Sequence, residues 1–192
     1  MAFRLVGIGA LGLMLSPSAK HLAKGETSRF IRIHDRGTRD QRRDRCRQAW
    51  KEHGADLVGN YQDLIGDGDL DGVVICAGKN GDDLEIFRSI TPLIKQRCAK
   101  APFVLHLSTV SSGFAEAAQA FLKEQGIQYA NYPLTGGPAG AEAGTMLILA
   151  SGDPGLYERL EPTLSLMGNP KFFGERVTAG AEVKLIGQLM VF

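Results

Sequence analysis

Short apolar stretches alternate along the chain with longer stretches in which apolar and charged residues are mixed. Short apolar runs are typical of strands buried in a parallel sheet, and longer mixed runs are typical of helices that cover such a sheet. The pattern predicts strands at 3–8, 30–34, 55–58, 70–77, 103–107, 127–132, 146–150 and 171–173, and helices at 11–24, 39–54, 82–98, 114–125 and 154–167. This alternation predicts an α/β domain with a doubly wound parallel sheet.

Two of the predicted helices contain a proline. Pro17 lies in the first helix and Pro92 in the third. Proline has no amide hydrogen to donate, and its ring clashes with the preceding turn of a helix. We therefore expect Pro17 to kink the first helix or to confine it to its first turns, and the third helix must accommodate Pro92.

Composition and charge exclude several classes of protein. The 192 residues can bury one substantial core, and 44% hydrophobic with 22% charged residues is ordinary for a globular protein. A formal net charge of +1 gives no electrostatic reason to expect nucleic acid or a membrane surface as a partner. No apolar run reaches the roughly 20 residues of a membrane span. Cys46, Cys76 and Cys98 are widely spaced and odd in number, so we expect a reducing, cytoplasmic setting and no metal site.

The N-terminus allows an alternative interpretation. Arg4, the apolar run 5–15 and the small residues up to Ala19 together resemble a secretory signal peptide. That interpretation would discard the first predicted strand and a set of closely spaced glycines at its end. We favour the interpretation that keeps both.

Three glycines stand at the end of the first predicted strand with the spacing G-x-G-x-x-G. These are Gly7, Gly9 and Gly12. In dinucleotide-binding domains the first permits a tight turn, the second lets the backbone approach the pyrophosphate, and the third lets the helix pack on the strand. The N-terminus of that helix supplies donors to the phosphates. A purely structural glycine turn is the alternative. The expected cofactor contacts in this region are Gly7, Ile8, Gly9, Ala10, Leu11, Gly12 and Ala77.

The end of the second predicted strand bears on the choice between NAD and NADP. Asp35 stands there, 23 residues after Gly12, and it can accept hydrogen bonds from the ribose hydroxyls of NAD while repelling a 2′-phosphate. Arg36 follows directly and could instead hold that phosphate. Arg39, Arg42 and Arg43 are near, but the basic residues of 39–47 are balanced by acids and are interpreted as a solvated helix face. We expect NAD or NADP, with a preference for NAD.

Four motifs in order along the chain resemble the β-hydroxyacid dehydrogenase family, the group of 3-hydroxyisobutyrate dehydrogenase and of the NAD-binding part of 6-phosphogluconate dehydrogenase. They lie at 7–14, at 107–111, at 132–141 with 144–145, and at 180–188, so the resemblance covers essentially the whole chain. The last motif contains Lys184 in an apolar helical stretch.

The resemblance implies a role for several side chains. Lys184 would be the general acid or base that exchanges a proton with the substrate hydroxyl, although most lysines are simply exposed. Ser108 would contact the substrate carboxylate and Thr109 would lie by the nicotinamide. Thr135, Gly136 and Gly137 stand where the family has Ser-Gly-Gly and would also bind the carboxylate. Helix capping is the alternative for Ser108, although Ser111 or Ser112 would serve equally well.

Two positions depart from the family pattern. Family members carry asparagines three and four positions after the lysine, where this chain has Gly187 and Gln188. Gln188 keeps the ability to bind a substrate hydroxyl and resembles the threonate dehydrogenase branch. His106 replaces an acid two positions before Ser108, and we expect it to be a buried histidine with satisfied hydrogen bonds.

These observations predict an NAD(P)-dependent oxidoreductase of a small 3-hydroxy acid. Residues 1–178 would form the dinucleotide-binding domain and residues 179–192 the start of an interdomain helix. The resemblance implies an all-helical domain beyond this chain, which would close the cleft and form a homodimer, so this chain could bind cofactor without robust turnover. A non-catalytic dinucleotide-binding module and an imine reductase are the alternatives. Lys184 argues against both.

Overall fold

The main sheet has six strands that all run in the same direction. The structure, a computed structural model, describes residues 2–38, 40–78 and 80–190. The strands are β1 (Phe3–Ile8), β2 (Ser28–His34), β3 (Asp56–Val58), β4 (Gly72–Ile75), β5 (Phe103–His106) and β6 (Tyr129–Asn131). Their order is β3-β2-β1-β4-β5-β6, and every neighbouring pair is parallel. The predicted doubly wound parallel sheet is confirmed.

Eight helices connect and cover the strands in the part of the chain that the structure describes. They are α1 (Ser18–Leu22), α2 (Gln41–His53), α3 (Tyr61–Ile65), α4 (Asn80–Arg97), α5 (Ser112–Glu124), α6 (Gly137–Ala143), α7 (Pro154–Met167) and α8 (Ala179–Leu189). Pro92 lies inside α4, as expected. The short helices α3 and α6 were not predicted. None of the described helices is long and apolar enough to cross a membrane.

The last strands form a second, separate sheet. β7 (Leu134–Thr135), β8 (Met146–Ala150) and β9 (Gly168–Phe172) lie in the order β7-β8-β9, with β7 antiparallel and β9 parallel to β8. The strand predicted at 146–150 is found with those bounds, and the strand predicted at 171–173 begins earlier, at Gly168, but neither strand belongs to the main sheet. α8 packs on this second sheet through β8.

The first predicted helix is wrong over most of its length. Instead of a helix at 11–24, α1 begins only at Ser18, and the residues before it form successive turns. The amide of Ser18 donates to Leu15, three residues back, as in a tight turn. The cause is Pro17, which has no amide hydrogen and disfavours helical geometry in the residue before it. The glycine motif is consequently followed by turns and not by a regular helix.

Two apolar clusters fill the space on the two faces of the main sheet. One contains Leu5, Phe30 and Trp50, and the other contains Val6, Val73 and further apolar side chains of β4 and α4. Every residue of β4 and β5 is buried, because helices cover both faces of these central strands.

The order of the strands creates a crevice at one edge of the sheet. After β1 the chain moves outward to β2 and β3, and then crosses to β4 on the other side of β1. The loops that leave the carboxyl ends of β1 and β4 therefore diverge to opposite faces of the sheet. In α/β sheets ligands bind at such a switch point, so the loops after β1, β4 and β5 outline the candidate site.

Candidate active site

The turn after β1 packs directly against the end of β4. Gly9 has the left-handed backbone angle φ = 74°, and a Cβ atom at this position would lie 2.3 Å from the carbonyl oxygen of Cys76. The amide of Gly12 closes the turn by donating to the Gly9 carbonyl over 2.9 Å. Only glycine fits at position 9, because a side chain would collide with the backbone of β4.

The other two glycines of the motif have different local roles from those expected. Gly7 lies within β1, and a Cβ atom there would stand 2.8 Å from the Ile33 side chain, so it serves packing and not the turn. A Cβ atom at Gly12 would meet the Gly9 carbonyl oxygen at 3.0 Å, so Gly12 keeps the turn compact. The turn depends mainly on Gly9. The expected helix N-terminus for the phosphates is absent here, since α1 starts at Ser18.

A buried tryptophan on α2 holds the glycine turn in place. The indole nitrogen of Trp50 donates a hydrogen bond of 2.9 Å to the carbonyl of Ala10. The Trp50 ring packs on Phe30 with 4.9 Å between centroids and is fully buried. This contact spans 40 residues of sequence, and it was not predicted. The only feature of the sequence that points to this contact is a large aromatic residue in an otherwise charged helix.

The carboxylate of Asp35 is paired with the guanidinium of Arg47 on α2. Arg47 donates from Nε to Oδ2 over 2.7 Å and from Nη2 to Oδ1 over 2.9 Å. The backbone amide of Gly37 also donates to Oδ1, over 2.9 Å. Both side chains are only 15% exposed. The hydrogen bonds from Arg47, supported by that of Gly37, hold the pKa of Asp35 below its usual value.

The interpretation of 39–47 as a solvated helix face is therefore wrong for Arg43, whose Nε is buried, and for Arg47. The Arg47 guanidinium also binds Asp44 and the carbonyl of Thr38, each over 2.7 Å. The exposed Arg42 agrees with the expected solvated face, whereas Arg39 lies outside the described residues. A sequence pattern could not identify Arg47, because α2 carries several arginines and only the fold places one beside Asp35.

A small cavity opens beside the glycine turn. It has a volume of about 160 Å³ and is lined by Gly9, Leu11, Gly12, His34, Arg36, Arg43, Cys76 and Ala77. Burial lowers the pKa of His34, which keeps its ring uncharged at neutral pH. The Nε of Arg43 is buried without a hydrogen-bond acceptor among the described residues. The cavity thus combines accessible backbone at Gly9 and Gly12 with the cationic side chains of Arg36 and Arg43.

These residues fit a dinucleotide. Gly9 leaves the turn without a side chain where a phosphate would approach the backbone. Arg36 and Arg43 can each contact an anionic group, and the Nε of Arg43 is a donor without a hydrogen-bond acceptor among the described residues. Of the other expected cofactor contacts, Ala77 lines the cavity, whereas the side chains of Ile8 and Ala10 are buried and do not line it.

Ser108 lies at the end of β5 and is tied to the loop after β4. Its Oγ accepts hydrogen bonds from the amides of Ala77 over 3.1 Å and Gly78 over 3.3 Å. Because both bonds use oxygen lone pairs, the hydroxyl hydrogen remains available to a ligand. Helix capping is excluded for Ser108, since Ser111 is the N-cap of α5.

The strand before Ser108 rests on a buried polar cluster. His106 is fully buried, with Nδ1 2.8 Å from the Tyr129 hydroxyl and Nε2 3.1 Å from Asp83 Oδ2. The expectation of a buried, satisfied histidine is confirmed. The amide group of Asn131 donates to the carbonyls of His106 and Ser108 and fixes the path of the chain there.

A second cavity, of about 330 Å³, adjoins the first at Cys76. It brings together all five residues expected to bind substrate, which are Ser108, Thr135, Gly136, Gly137 and Gln188. Its lining consists of Met14, Cys76, Gly78, Leu107, Ser108, Thr109, Leu134, Thr135, Gly136, Gly137, Lys184 and Gln188. Cys76 lines both cavities, and burial raises the pKa of its thiol to about 12, so the sulfur stays protonated. Residues from five separate stretches of sequence thus meet at one edge of the fold.

Lys184 enters this cavity from α8. Its Nζ donates a hydrogen bond to the carbonyl of Leu134, at the start of β7. The side chain is half-buried, and burial lowers the pKa of the amine, an effect partly opposed by Cys76. Lys184 is therefore held at a defined place and is not an ordinary surface lysine.

The start of α8 is fastened to the second sheet by two residues that were not predicted. The Ser151 hydroxyl accepts from the amide of Gly180 over 3.0 Å and donates to the carbonyl of Val177 over 3.1 Å. A Cβ atom at Gly180 would lie 2.1 Å from the carbonyl oxygen of Leu149 on β8. This close approach of the α8 and β8 backbones determines where Lys184, one turn later, emerges.

The far face of α8 is apolar and exposed. Leu185, Ile186, Leu189 and Met190 are between 58% and 82% exposed. Such a patch is unusual on the surface of an isolated domain and marks a surface suited to another protein segment.

Comparisons with known proteins agree with this architecture. A family model described as the NAD binding domain of 6-phosphogluconate dehydrogenase matches residues 4–181. The chain is 28% identical over 190 residues to L-threonate dehydrogenase of Pectobacterium atrosepticum, an alignment that covers 98% of this chain and 58% of that protein.

Solved structures share the fold. The 3-hydroxyisobutyrate dehydrogenase of Mycobacterium tuberculosis, solved with L-serine, has a TM-score of 0.81 and 20% identity, covering 100% of this chain and 60% of that one. An imine reductase variant from Myxococcus stipitatus, solved with NAD⁺, has a TM-score of 0.79 and 19% identity, covering 100% and 62%. The chain thus spans about three fifths of the length of these proteins. It belongs to the family of the NAD-binding domain of 6-phosphogluconate dehydrogenase, which confirms the resemblance to the β-hydroxyacid dehydrogenases.

Proposed function

We propose that this protein binds NAD or NADP and, in its full natural length, oxidises or reduces a small 3-hydroxy acid. The observation that carries the proposal is the meeting of the two cavities at Cys76, with the glycine turn in one and Lys184 in the other. A dinucleotide whose phosphates lie on the Gly9 turn would extend toward the second cavity. When bound, its nicotinamide exchanges a hydride with the hydroxyl-bearing carbon of the substrate.

Lys184 is proposed to move the hydroxyl proton. In alcohol oxidation a neutral amine accepts the proton that the hydroxyl loses, and in reduction the ammonium returns it. The burial that lowers the pKa of Lys184 favours the neutral form needed for the first direction. Its bond to the Leu134 carbonyl orients the amine and leaves its other positions for a substrate oxygen.

The substrate carboxylate is proposed to bind at the other side of the same cavity. Ser108 offers its hydroxyl hydrogen, Thr135 offers a second hydroxyl, and the chain at Gly136 and Gly137 offers unobstructed backbone amides. Gln188 would bind a further hydroxyl, and Thr109 would lie beside the nicotinamide. The relative named L-threonate dehydrogenase makes a polyhydroxylated acid the first substrate class to examine.

Imine reduction is the second candidate, because an imine reductase is among the structures that share the fold. A half-buried lysine in the second cavity favours alcohol chemistry over it, since an alcohol requires a proton acceptor and an amine of lowered pKa supplies one. A non-catalytic module has no need of Lys184 at all.

Other parts of the proposal concern the longer protein. The exposed apolar face of α8 would be covered by a helical domain that follows residues 179–192 and forms a homodimer.

The cytoplasmic location stays a prediction. A preference for NAD requires a free Asp35 carboxylate, and this carboxylate is paired with Arg47, so the preference depends on that pair.

The test is a binding and turnover screen. Calorimetric titration of this chain with NADH and NADPH measures cofactor binding without any need for catalysis. Turnover is then measured at full natural length with short 3-hydroxy acids, threonate and cyclic imines. A folded protein that binds neither dinucleotide would refute the proposal, and turnover of imines alone would favour the second candidate.

A further inference from the structure

The Asp35 carboxylate has little capacity left for a ribose. A carboxylate offers about four acceptor positions, two on each oxygen. Arg47 Nε uses one position on Oδ2, while Arg47 Nη2 and the Gly37 amide use both positions on Oδ1. One position remains, on Oδ2. Asp35 therefore cannot make the bidentate contact with two ribose hydroxyls that would favour NAD.

The pair between Asp35 and Arg47 is fixed from several sides. The Arg47 guanidinium also donates to the Thr38 carbonyl and to Asp44. All four bonds that Arg47 makes are between 2.7 and 2.9 Å. Each member of the pair is only 15% exposed, so water screens their attraction weakly. A ribose would have to displace a charge-assisted pair, which is a poor exchange for neutral hydroxyl groups.

Pairing also changes the charge that a ligand meets. Arg47 shares its positive charge between Asp35 and Asp44, so it offsets part of the negative charge of Asp35 and weakens the repulsion of a phosphate. Arg36 and Arg43 line the cavity and remain cationic. Arg43 is only loosely neutralised, because Asp40 lies 3.4 Å from its Nε and is 42% exposed. That same Nε has no hydrogen-bond acceptor among the described residues. The cavity is thus electrostatically suited to an additional anionic group.

We propose that Arg47 determines the cofactor preference: by occupying the Asp35 carboxylate it withdraws the ribose acceptor and leaves Arg36 and Arg43 to bind the 2′-phosphate of NADP. The protein accordingly prefers NADP over NAD. This inference rests on the proposed function only in requiring that a dinucleotide binds at the Gly9 turn. Arg47 acts through Asp35 and is a positioning residue.

The experiment compares dissociation constants of this chain for NADPH and NADH. Binding is followed by nicotinamide fluorescence and by quenching of Trp50, the single tryptophan, which holds the glycine turn. The unmodified protein should bind NADPH about tenfold or more tightly than NADH. Arg47→Leu frees Asp35 and should shift the ratio of the two constants toward NADH by about tenfold. Arg47→Lys keeps the charge but loses the two-bond geometry, so an intermediate shift is expected.

The matched control is Arg45→Leu. Arg45 is an exposed arginine on the same helix and does not line the cavity beside the glycine turn. The Arg45→Leu substitution removes the same charge as Arg47→Leu. An equal shift in the ratio of the two dissociation constants would therefore mean that general electrostatics, and not the Asp35 pair, sets the preference. Circular dichroism and thermal unfolding of each variant confirm that the fold is retained.

A second measurement needs no variant of Arg47. On the unmodified protein, adenosine 2′,5′-bisphosphate should bind about tenfold or more tightly than 5′-AMP, and Arg36→Leu should remove most of that difference. Tighter binding of NADH than NADPH, or an unchanged ratio in a folded Arg47→Leu variant, would overturn the proposal. If neither dinucleotide binds, the proposed function itself fails, which is a distinct outcome.

Discussion

Asp35 and Lys184 are ionisable side chains whose neighbours change their capacity to bind a ligand or to accept a proton. Asp35 is an acceptor by its chemistry, but Arg47 already holds both of its oxygens. Lys184 is a cation by its chemistry, but partial burial lowers the pKa of its amine toward the range where it can accept a proton. The residue type alone predicts neither state, because each depends on contacts made by distant parts of the chain.

Lys184→Ala should reduce turnover at full natural length by about 10² or more while leaving the dissociation constant of NADPH nearly unchanged. The lysine is proposed to transfer a proton and not to hold the nucleotide. For alcohol oxidation the rate should rise with pH as the amine loses its proton, with a midpoint below the ordinary lysine value of 10.5. That limb should vanish in the alanine variant.

Ser108→Ala serves as the comparison, because a carboxylate contact acts in ground and transition states alike and should chiefly raise KM. Normal turnover in Lys184→Ala would mean that another group carries the proton.

Trp50→Phe should weaken dinucleotide binding several-fold and lower the free energy of unfolding by about 1–3 kcal/mol. The substitution leaves the buried Ala10 carbonyl without its donor at the centre of the glycine turn. Calorimetric titration and urea unfolding measure the two effects. Phe30→Leu is the control, since it disturbs the packing on Trp50 and keeps the hydrogen bond. Equal losses of affinity in both variants would show that packing alone positions the turn.

At the scale of elements, local patterns were sufficient for the central strands and for α2, α4, α5 and α7. Their apolar stretches are long enough to be distinctive, and caps such as Ser111 and Asp153 mark two of the starts. The pattern was insufficient for β7 and α6, which together contain few residues and depend on pairing with β8. It also missed how strongly Pro17 shortens α1, because the apolar run before the proline is equally compatible with a helix.

The anchoring of α8 gives a prediction at this scale. Gly180→Ala places a Cβ atom where the Leu149 carbonyl oxygen stands, so α8 must move away from β8. We expect a loss of about 1–3 kcal/mol in the free energy of unfolding and a decrease in turnover at full natural length. Dinucleotide binding should change little, since α8 does not line the first cavity.

Gly187→Ala is the matched control, because that glycine faces open space on the same helix. Alanine there should be neutral or stabilising by roughly 0.5–1 kcal/mol. Equal destabilisation by both substitutions would indicate that helix propensity and not contact with β8 explains the effect.

For the whole molecule, the sequence predicted the sheet and the edge at which the site lies, because both follow from the order of strands and helices. It placed Ser108, Thr135, Gly136 and Lys184 in one site only through the family resemblance, and the structure describes them around one cavity. The contacts of Trp50 with Ala10 and of Ser151 with Gly180 could not be predicted, since they join segments distant in sequence.

Acid should destabilise the whole molecule in two separate steps. His34 and His53 have pKa values lowered mainly by burial, so the unfolded chain binds protons more readily and stability falls as the pH drops below about 6.5. Asp35 has a pKa lowered by Arg47, so its contribution is complete above the unfolded value of 3.8 and is lost as the pH falls through the lower folded value.

The step from Asp35 can be isolated with Asp35→Asn, which should lower the free energy of unfolding at neutral pH because it removes a charge-assisted pair. The difference in unfolding free energy between the two proteins, measured by urea denaturation, should stay constant from pH 7 to 5 and shrink below pH 4. The histidine step should persist in the variant, because burial is the largest cause of the lowered pKa of both His34 and His53, and the Asp35 charge that is lost acts on His34 in the opposite direction. A difference in unfolding free energy that stays constant down to pH 2 would mean that Asp35 contributes to stability through the shape of its side chain and not through its charge. The ion pair with Arg47 would then not determine how Asp35 behaves in the site.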